Sequence, residues 1–205
     1  MKLYTTDYAP NPRRVRWVMA EKGITDIAIV TLDIMTHEHK RHAAITGSGA
    51  DRVPVLELDD GTLLGETLAI ARYLESLYPA PNLFGHDAPE TAVIEMWTRR
   101  VELNLANPLM LGVRLSHPAL VVLEPPNAAV AAYFLQQATD FSVVLDRHLE
   151  GRDFIAAGRL TMADIVAACA FDFARILRYR PDKSLENLAR WLTAMRGRPA
   201  AKGGV

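Results

Sequence analysis

The spacing of apolar residues changes character once along this chain, near Pro79–Pro81, and that change limits the fold more than any other feature. Before it, short strand-like runs alternate with helical ones. "KLYTT" predicts a strand, and "PRRVRWVMAEKG" a helix with Pro12 in its first turn and Gly23 at its C-terminal cap. "IAIVTLDI" predicts a second strand, apolar enough to be buried on both faces, and a strand, helix, strand order with short joints implies a parallel crossover. "THEHKRHAAI" is a weak helix and "TGSGADR" a loop. "VPVLELDDGTLLGE" predicts an antiparallel hairpin turning at Asp60–Gly61. "TLAIARYLESLYP" closes the unit as an amphipathic helix, apolar at Leu68, Ile70, Ala71, Leu74 and Leu77.

After the change no strand-like alternation remains. Helical patterns occupy roughly 90–115, 126–150, 161–179 and 184–197, and Pro108 should kink the first of them. The expected organisation is an α/β domain over 1–79, a Pro/Gly-punctuated linker over 80–87 and an all-helical domain over 88–205.

At 205 residues the chain is long enough for such a pair, and half of it is apolar. A formal net charge of −1 offers no basic excess for nucleic acid or an anionic membrane. No run reaches the roughly 18 apolar residues of a membrane span, and "MKLYTT" begins on a strand pattern rather than a signal peptide, so a cytoplasmic protein is expected. The single cysteine, Cys169, excludes an internal disulfide and lies in an apolar helical run as a core residue.

Several short stretches bear on chemistry. In "YAPNPRRVRW" (8–17) a strand runs into a helix, and such a junction points free backbone N–H groups at whatever lies in front, a place for an anion. Val53–Pro54 opens a strand. If its peptide bond is cis, the backbone of Val53 faces outward to pair with an extended peptide; if trans, it is a plain strand start. Glu66 and Thr67 begin a predicted helix that Thr67 can cap. The pair suits either an ordinary acidic helix start or the zwitterionic end of an amino acid. "THEHKRH" lacks the i, i+4 spacing of a zinc site, so no metal is expected, and it predicts a solvated basic face attractive to a carboxylate. "GRLTMADI" contains a capping box in which Asp164 reaches back to Thr161, a structural feature.

Taken in order, "PNPRRVRWVMAEKGI", "RVPVLEL", "GETLAIARYLESLYP", "GRLTMADI" and "RGRPA" resemble the cytosolic glutathione transferase family over nearly the whole chain. The Pro-Asn placement is like that of the disulfide-reducing bacterial and fungal members. The resemblance implies a thioredoxin-like βαβαββα domain followed by a helical domain, a homodimer, and glutathione as co-substrate with no tightly bound cofactor. It implies that Val53, beside a cis Pro54, pairs with the cysteinyl part of glutathione, and that Glu66 and Thr67 take the γ-glutamyl ammonium and carboxylate. His39, Lys40 and Arg52 are the candidates for the glycyl carboxylate. The electrophile is expected between the strand–helix junction and the first long helix of the second half, where Trp97, Arg100, Arg114 and His117 stand.

The anion at the junction would then be the glutathione thiolate. Many bacterial members place a serine, threonine or cysteine before the proline, whereas this chain has Ala9. Asn11, whose amide donates without titrating, is the first candidate to hold the sulfur, Tyr8 the second, and a hydroxyl of Thr5 or Thr6, or no side chain at all, the third. The implied activity is conjugation to a hydrophobic electrophile, with reduction of a disulfide or peroxide alongside. Because of Ala9, a non-catalytic ligand carrier or dimeric interaction module is the alternative.

Overall fold

A computed structural model describes residues 1–7 and 9–203, which group into two units. The first unit is built on a four-stranded sheet with the order β2-β1-β3-β4. Its strands are β1 (Lys2–Thr5), β2 (Ala28–Thr31), β3 (Val55–Glu57) and β4 (Leu63–Leu64). β1 pairs parallel with β2, Thr5 opposite Thr31, and antiparallel with β3, Tyr4 opposite Val55. β4 closes the hairpin, Leu64 opposite Leu56, through a turn at Asp60–Gly61 in which Asp60 accepts the Thr62 N–H at 2.9 Å.

Helix α1 (Pro10–Glu21) makes the crossover. It ends where expected: Gly23 follows the cap with φ +64, a left-handed conformation that glycine adopts without a Cβ clash. Just before it, the wholly buried side chain of Lys22 reaches the Tyr78 and Pro81 carbonyls at 2.7 and 2.8 Å and the Glu75 carboxylate at 2.6 Å. A buried ammonium is tolerable only with its donors satisfied, and here they tie the end of α1 to the end of α3 (Thr67–Leu77). Tyr4, Leu32, Ala44, Ile45 and Val55 form one core cluster of this unit.

β2 differs from expectation. Its apolar run predicted burial on both faces, but it is an edge strand, mostly exposed, with Ile29 47% accessible. The "THEHKRHAAI" stretch is a 3-10 turn (Glu38–Arg41) and the short α2 (Ala43–Gly47). It is not a fully solvated face, because His39 is buried.

The second unit, Asn82–Arg198, is helical: α4 (Ala88–Val101), α5 (Asn107–Arg114), α6 (Ala128–His148), α7 (Met162–Ala174) and α8 (Glu186–Gly197). Pro108 disturbs the first long pattern as expected, but the disturbance is a π-helical turn, Glu102–Ala106, between α4 and α5. A proline supplies no N–H and crowds the carbonyl four residues back, and a wider turn accommodates both. The residues around 80–87 are not a loose linker throughout. Leu83 and Phe84 are buried, Met162 donates its N–H to the Leu83 carbonyl at 3.1 Å, and the Arg159 guanidinium binds Asn82 and Glu90. Gly85, at φ +113, lies so close to Thr91 that a Cβ would stand 2.5 Å from its Oγ1. The last short helix, α9 (Pro199–Gly203), packs on α1 and groups with the first unit, outside the helical domain to which the sequence assigned it.

Helix α7 is the axis of the helical unit, with eleven of its thirteen residues buried, Cys169 among them. Asp164 closes the expected capping box with Thr161 and does more. Its Oδ2 accepts the Thr161 N–H and hydroxyl at 3.0 and 2.9 Å, while Oδ1 accepts the Ile155 N–H at 2.9 Å and the Trp191 indole N–H at 3.0 Å. Burial pushes the Asp164 carboxyl up, and the four donors oppose that.

Two outcomes follow from these contacts. Asp164→Ala leaves four buried donors without their acceptor and should lower unfolding free energy by about 3 kcal/mol or more, read by urea titration; a loss near 1 kcal/mol would reduce Asp164 to a simple cap. The Glu90 carboxyl is held at about 2, below its ordinary 4.5, first by the Arg159 guanidinium and then by the His86 N–H. A depressed acid contributes stability above its unfolded pKa that is lost as pH falls through the folded one. Glu90→Gln should therefore melt below the parent at pH 6 and converge with it as pH falls from about 4.5 toward 2; melts across that range that stay equally far apart would contradict the pairing.

Candidate functional site

Sheet topology decides which loops meet. β1 runs toward Thr5, and its antiparallel neighbour β3 starts at Val55 opposite Tyr4. The residues that follow β1 and those that precede β3 therefore leave the sheet at the same end. β4 runs antiparallel to β3, so Gly65, Glu66 and Thr67 emerge at that end too. β2, parallel to β1, sends the segment bearing His37–His42 the same way. Four stretches far apart in sequence, the α1 N-terminus, Val53–Pro54, Glu66–Thr67 and the His39 segment, thus share one edge of the first unit.

At the head of α1, Ala9 occupies the cap position with φ −100 and ψ 143 and contributes no side-chain hydrogen bond. Pro10 and Pro12 stand at the first and third helical positions, and neither has an N–H. Of the four N–H groups a helix start normally leaves free, only those of Ala9 and Asn11 exist here. Asn11, at the second position, supplies both a main-chain and a side-chain donor. The junction is thus a poorer source of main-chain donors than the strand–helix pattern suggested, and Asn11 is its richest residue. Thr5 and Thr6 are buried; Thr5 Oγ1 has no hydrogen-bond partner among the described residues. Tyr8 lies outside the described residues.

One element of this junction had no sequence signal. The Arg16 guanidinium, one and a half turns into α1, reaches back to the loop after β1. Its Nη1 pairs with the Asp7 carboxylate at 2.7 Å, and its Nη2 donates to the carbonyls of Thr6 and Asp7 at 3.2 and 3.1 Å. A helical side chain leans toward the N-terminus of its own helix, so the reach is natural, but its target depends on how the loop returns.

The Val53–Pro54 peptide bond is cis, and Val53 is partly buried ahead of β3. Glu66, exposed, caps α3 with φ +61 and ψ 119, outside the regions comfortable for a side-chain-bearing residue. The sequence assigned the cap to Thr67; instead Thr67 is the first helical residue and is buried. Strain of this kind persists where the surroundings enforce it, often at ligand sites, and no sequence feature announced it.

Of the three candidates for a carboxylate, Lys40 and Arg52 are exposed. His39 is 6% accessible; burial, then the charge of Lys40, holds its imidazole below the ordinary range, and its Nδ1 has no hydrogen-bond partner among the described residues. It is suited to donate or accept a hydrogen bond rather than to supply charge. His42 caps α2 by accepting the Ala44 N–H, with its ring against that of Tyr4.

The four candidates in the helical unit are not gathered in one way. Trp97 is buried, stacked on His148 with centroids 3.8 Å apart, and the Arg100 guanidinium sits 5.0 Å from its ring centre. Arg114 pairs with Glu124 at 2.9 Å, and His117 caps a 3-10 turn by accepting the Ala119 N–H at 3.2 Å. Arg100 is the exposed member of the four. Among the described residues no group of three or more His, Cys, Asp or Glu is placed to hold a metal ion, and no helix is long and apolar enough to cross a membrane.

Comparison with known proteins matches both halves. Residues 8–77 match the family described as Glutathione S-transferase, N-terminal domain, and residues 115–199 the Glutathione S-transferase, C-terminal domain. Glutathione S-transferase 2 of Saccharomyces cerevisiae is 32% identical over 205 residues, covering 98% of this chain and 88% of that protein. Glutathione S-transferase 3 of Zea mays is 30% identical, covering 98% and 90%. Among solved structures, Gtt2 from Saccharomyces cerevisiae superposes with a TM-score of 0.92 at 32% identity over the full length of both chains. A glutathione S-transferase domain-containing protein of Marinobacter aquaeolei gives 0.92 at 33% identity, covering 98% and 100%. With a mixed four-stranded α/β unit, an all-helical unit and relatives of this closeness along nearly its whole length, the chain belongs to the glutathione S-transferase family, a thioredoxin-like domain followed by a helical one.

Proposed function

We propose that this chain is a glutathione transferase that lays the tripeptide along the shared edge of its first unit and holds the sulfur as a thiolate against the start of α1. The observation that supports this most is the convergence, by strand register alone, of the α1 N-terminus, Val53 and the strained Glu66. Val53 offers main-chain pairing to the cysteinyl residue. Glu66 takes the γ-glutamyl ammonium, and Thr67 with the first N–H groups of α3 takes the adjacent carboxylate. His39, Lys40 and Arg52 serve the glycyl carboxylate, the last two by charge and His39 by a hydrogen bond.

Magnitudes favour an amide donor at the sulfur. A thiol titrates near 8.5, and lowering it by about 2 units requires about 2.7 kcal/mol of preferential thiolate stabilisation. A helix N-terminus gives up to about 2 kcal/mol, and this one has lost two of its N–H groups to prolines. A hydrogen bond to a charged acceptor adds about 1.5–3 kcal/mol, which the Asn11 amide can supply without titrating. Tyr8 is the second donor in the proposal. Once ionised, the sulfur attacks a hydrophobic electrophile, or a disulfide or peroxide, with Trp97, Arg100, Arg114 and His117 assigned to the electrophile's side and Arg100 as the exposed cation. A cytoplasmic homodimer belongs to the same proposal. Ala9, which brings no side-chain donor, favours one other reading: a ligand carrier on the same fold, which would bind glutathione without ionising it.

Asn11→Ala should lower kcat at least tenfold, about 1.4 kcal/mol of barrier, in an aryl-halide conjugation assay; unchanged turnover would transfer the role to Tyr8, checked with Tyr8→Phe. Glu66→Gly, which relieves the strained φ, should melt no lower than the parent yet raise KM for glutathione at least tenfold. Should it melt early with KM unmoved, Glu66 is merely a helix start.

A further inference from the structure

Arg16 closes a small loop of interactions that the proposed chemistry has not used. It stands on α1, yet its acceptors are the Thr6 carbonyl, the Asp7 carbonyl and the Asp7 carboxylate, all on the segment that joins β1 to α1. The side chain is 11% accessible and Asp7 49%, so the guanidinium lies largely out of water while its partner carboxylate keeps solvent. One planar fork thus spans three acceptors and ties the helix to the loop that leads into it, immediately before Ala9 and Asn11. Ala9 makes no side-chain cap bond, and Pro10 and Pro12 have no N–H with which to anchor the first turn.

We infer that Arg16 is a positioning residue for the thiol site: by holding Thr6 and Asp7 against α1 it keeps the Ala9 and Asn11 donors where the sulfur arrives. This rests on the assignment of the α1 N-terminus as the thiolate site. The physical basis is preorganisation. Donors contribute to an ion's stability in proportion to how little they must reorganise when it forms, and a loop free to move would surrender part of that. Arg16 touches neither glutathione nor the sulfur in this inference. Removing it should raise the thiol pKa and lower kcat while leaving the γ-glutamyl contacts, and hence most of KM, in place.

The test is a pH titration of the bound thiolate absorbance near 240 nm, with kcat and KM, on the parent, Arg16→Ala and Arg16→Lys. Arg16→Lys keeps the charge but replaces the planar two-nitrogen fork, which divides its bonds between Asp7 on one nitrogen and the Thr6 and Asp7 carbonyls on the other, by a single nitrogen, and it stands in should Arg16→Ala fail to fold. The expected result is a thiol pKa higher by about one unit in Arg16→Ala and by about half that or more in Arg16→Lys. kcat should fall five- to tenfold and KM change less than threefold. A variant that folds and shows the parent's thiol pKa and kcat overturns the inference, whatever its melting temperature, because a purely structural ion pair would move only the latter. If the parent itself binds glutathione with no thiolate signal, the proposed function falls and this inference with it; a normal parent beside unaffected variants removes Arg16 alone.

Discussion

Strand β1 pairs parallel on one side and antiparallel on the other, and the position of every candidate glutathione contact depends on that choice. Because β2 runs with β1 while β3 runs against it, the segments that enter and leave these strands are sorted to one end of the sheet. A shift of β3 by one residue would turn Val55 from the core cluster to the opposite face and carry Val53–Pro54 with it. The apolar cluster of Tyr4, Leu32, Ala44, Ile45 and Val55 is what resists such a slip. Packing in the core and placement of the site are therefore one constraint.

The helical unit depends on a different interaction. Asp164 is wholly buried, and its four donors come from three separate places in the chain: Ile155, Thr161 and Trp191. Such a network is stable only when complete, so it selects one arrangement of the loop before α7, the start of α7 and α8. Arg159 repeats the device nearby, joining Asn82 to Glu90 and building the supposed linker into the unit. The Lys22 ammonium does the same in the first unit. In each case a charged group is held by several partners at once, side chains as well as backbone, most of them distant in sequence.

The head of α1 shows how a site is shaped by what is absent. Two prolines stiffen the entry to the helix, since their φ is already helical, but they also remove two of the four N–H groups that head a helix. In the proposed function, anion binding at this terminus therefore falls to Asn11 and to whatever holds the residues before it. Arg16 binds three acceptors on Thr6 and Asp7, which suits it to the second of these roles, and the proposal gives the first to a side chain that does not titrate. A neutral donor on a well-held loop stabilises a thiolate differently from a hydroxyl, because it has no proton of its own to lose.

Local signals in this chain were legible because they depend on neighbours in sequence: the change of apolar period near Pro79–Pro81, the Asp60–Gly61 turn, Gly23 after α1 and the Thr161–Asp164 box. These determined the mixed α/β unit and the helical unit, and the ordered motifs pointed to the family. Tertiary structure alone decided that β2 is an exposed edge, that α9 returns to the first unit, that His39 is buried, and that Glu66 takes a positive φ. It alone gave Asp164 two partners beyond its cap and Arg16 a loop to hold. Periodicity reports how a residue relates to the next turn or strand position. Burial, strain and long-range hydrogen bonds are set by whichever distant segment arrives alongside, and no local pattern encodes that arrival.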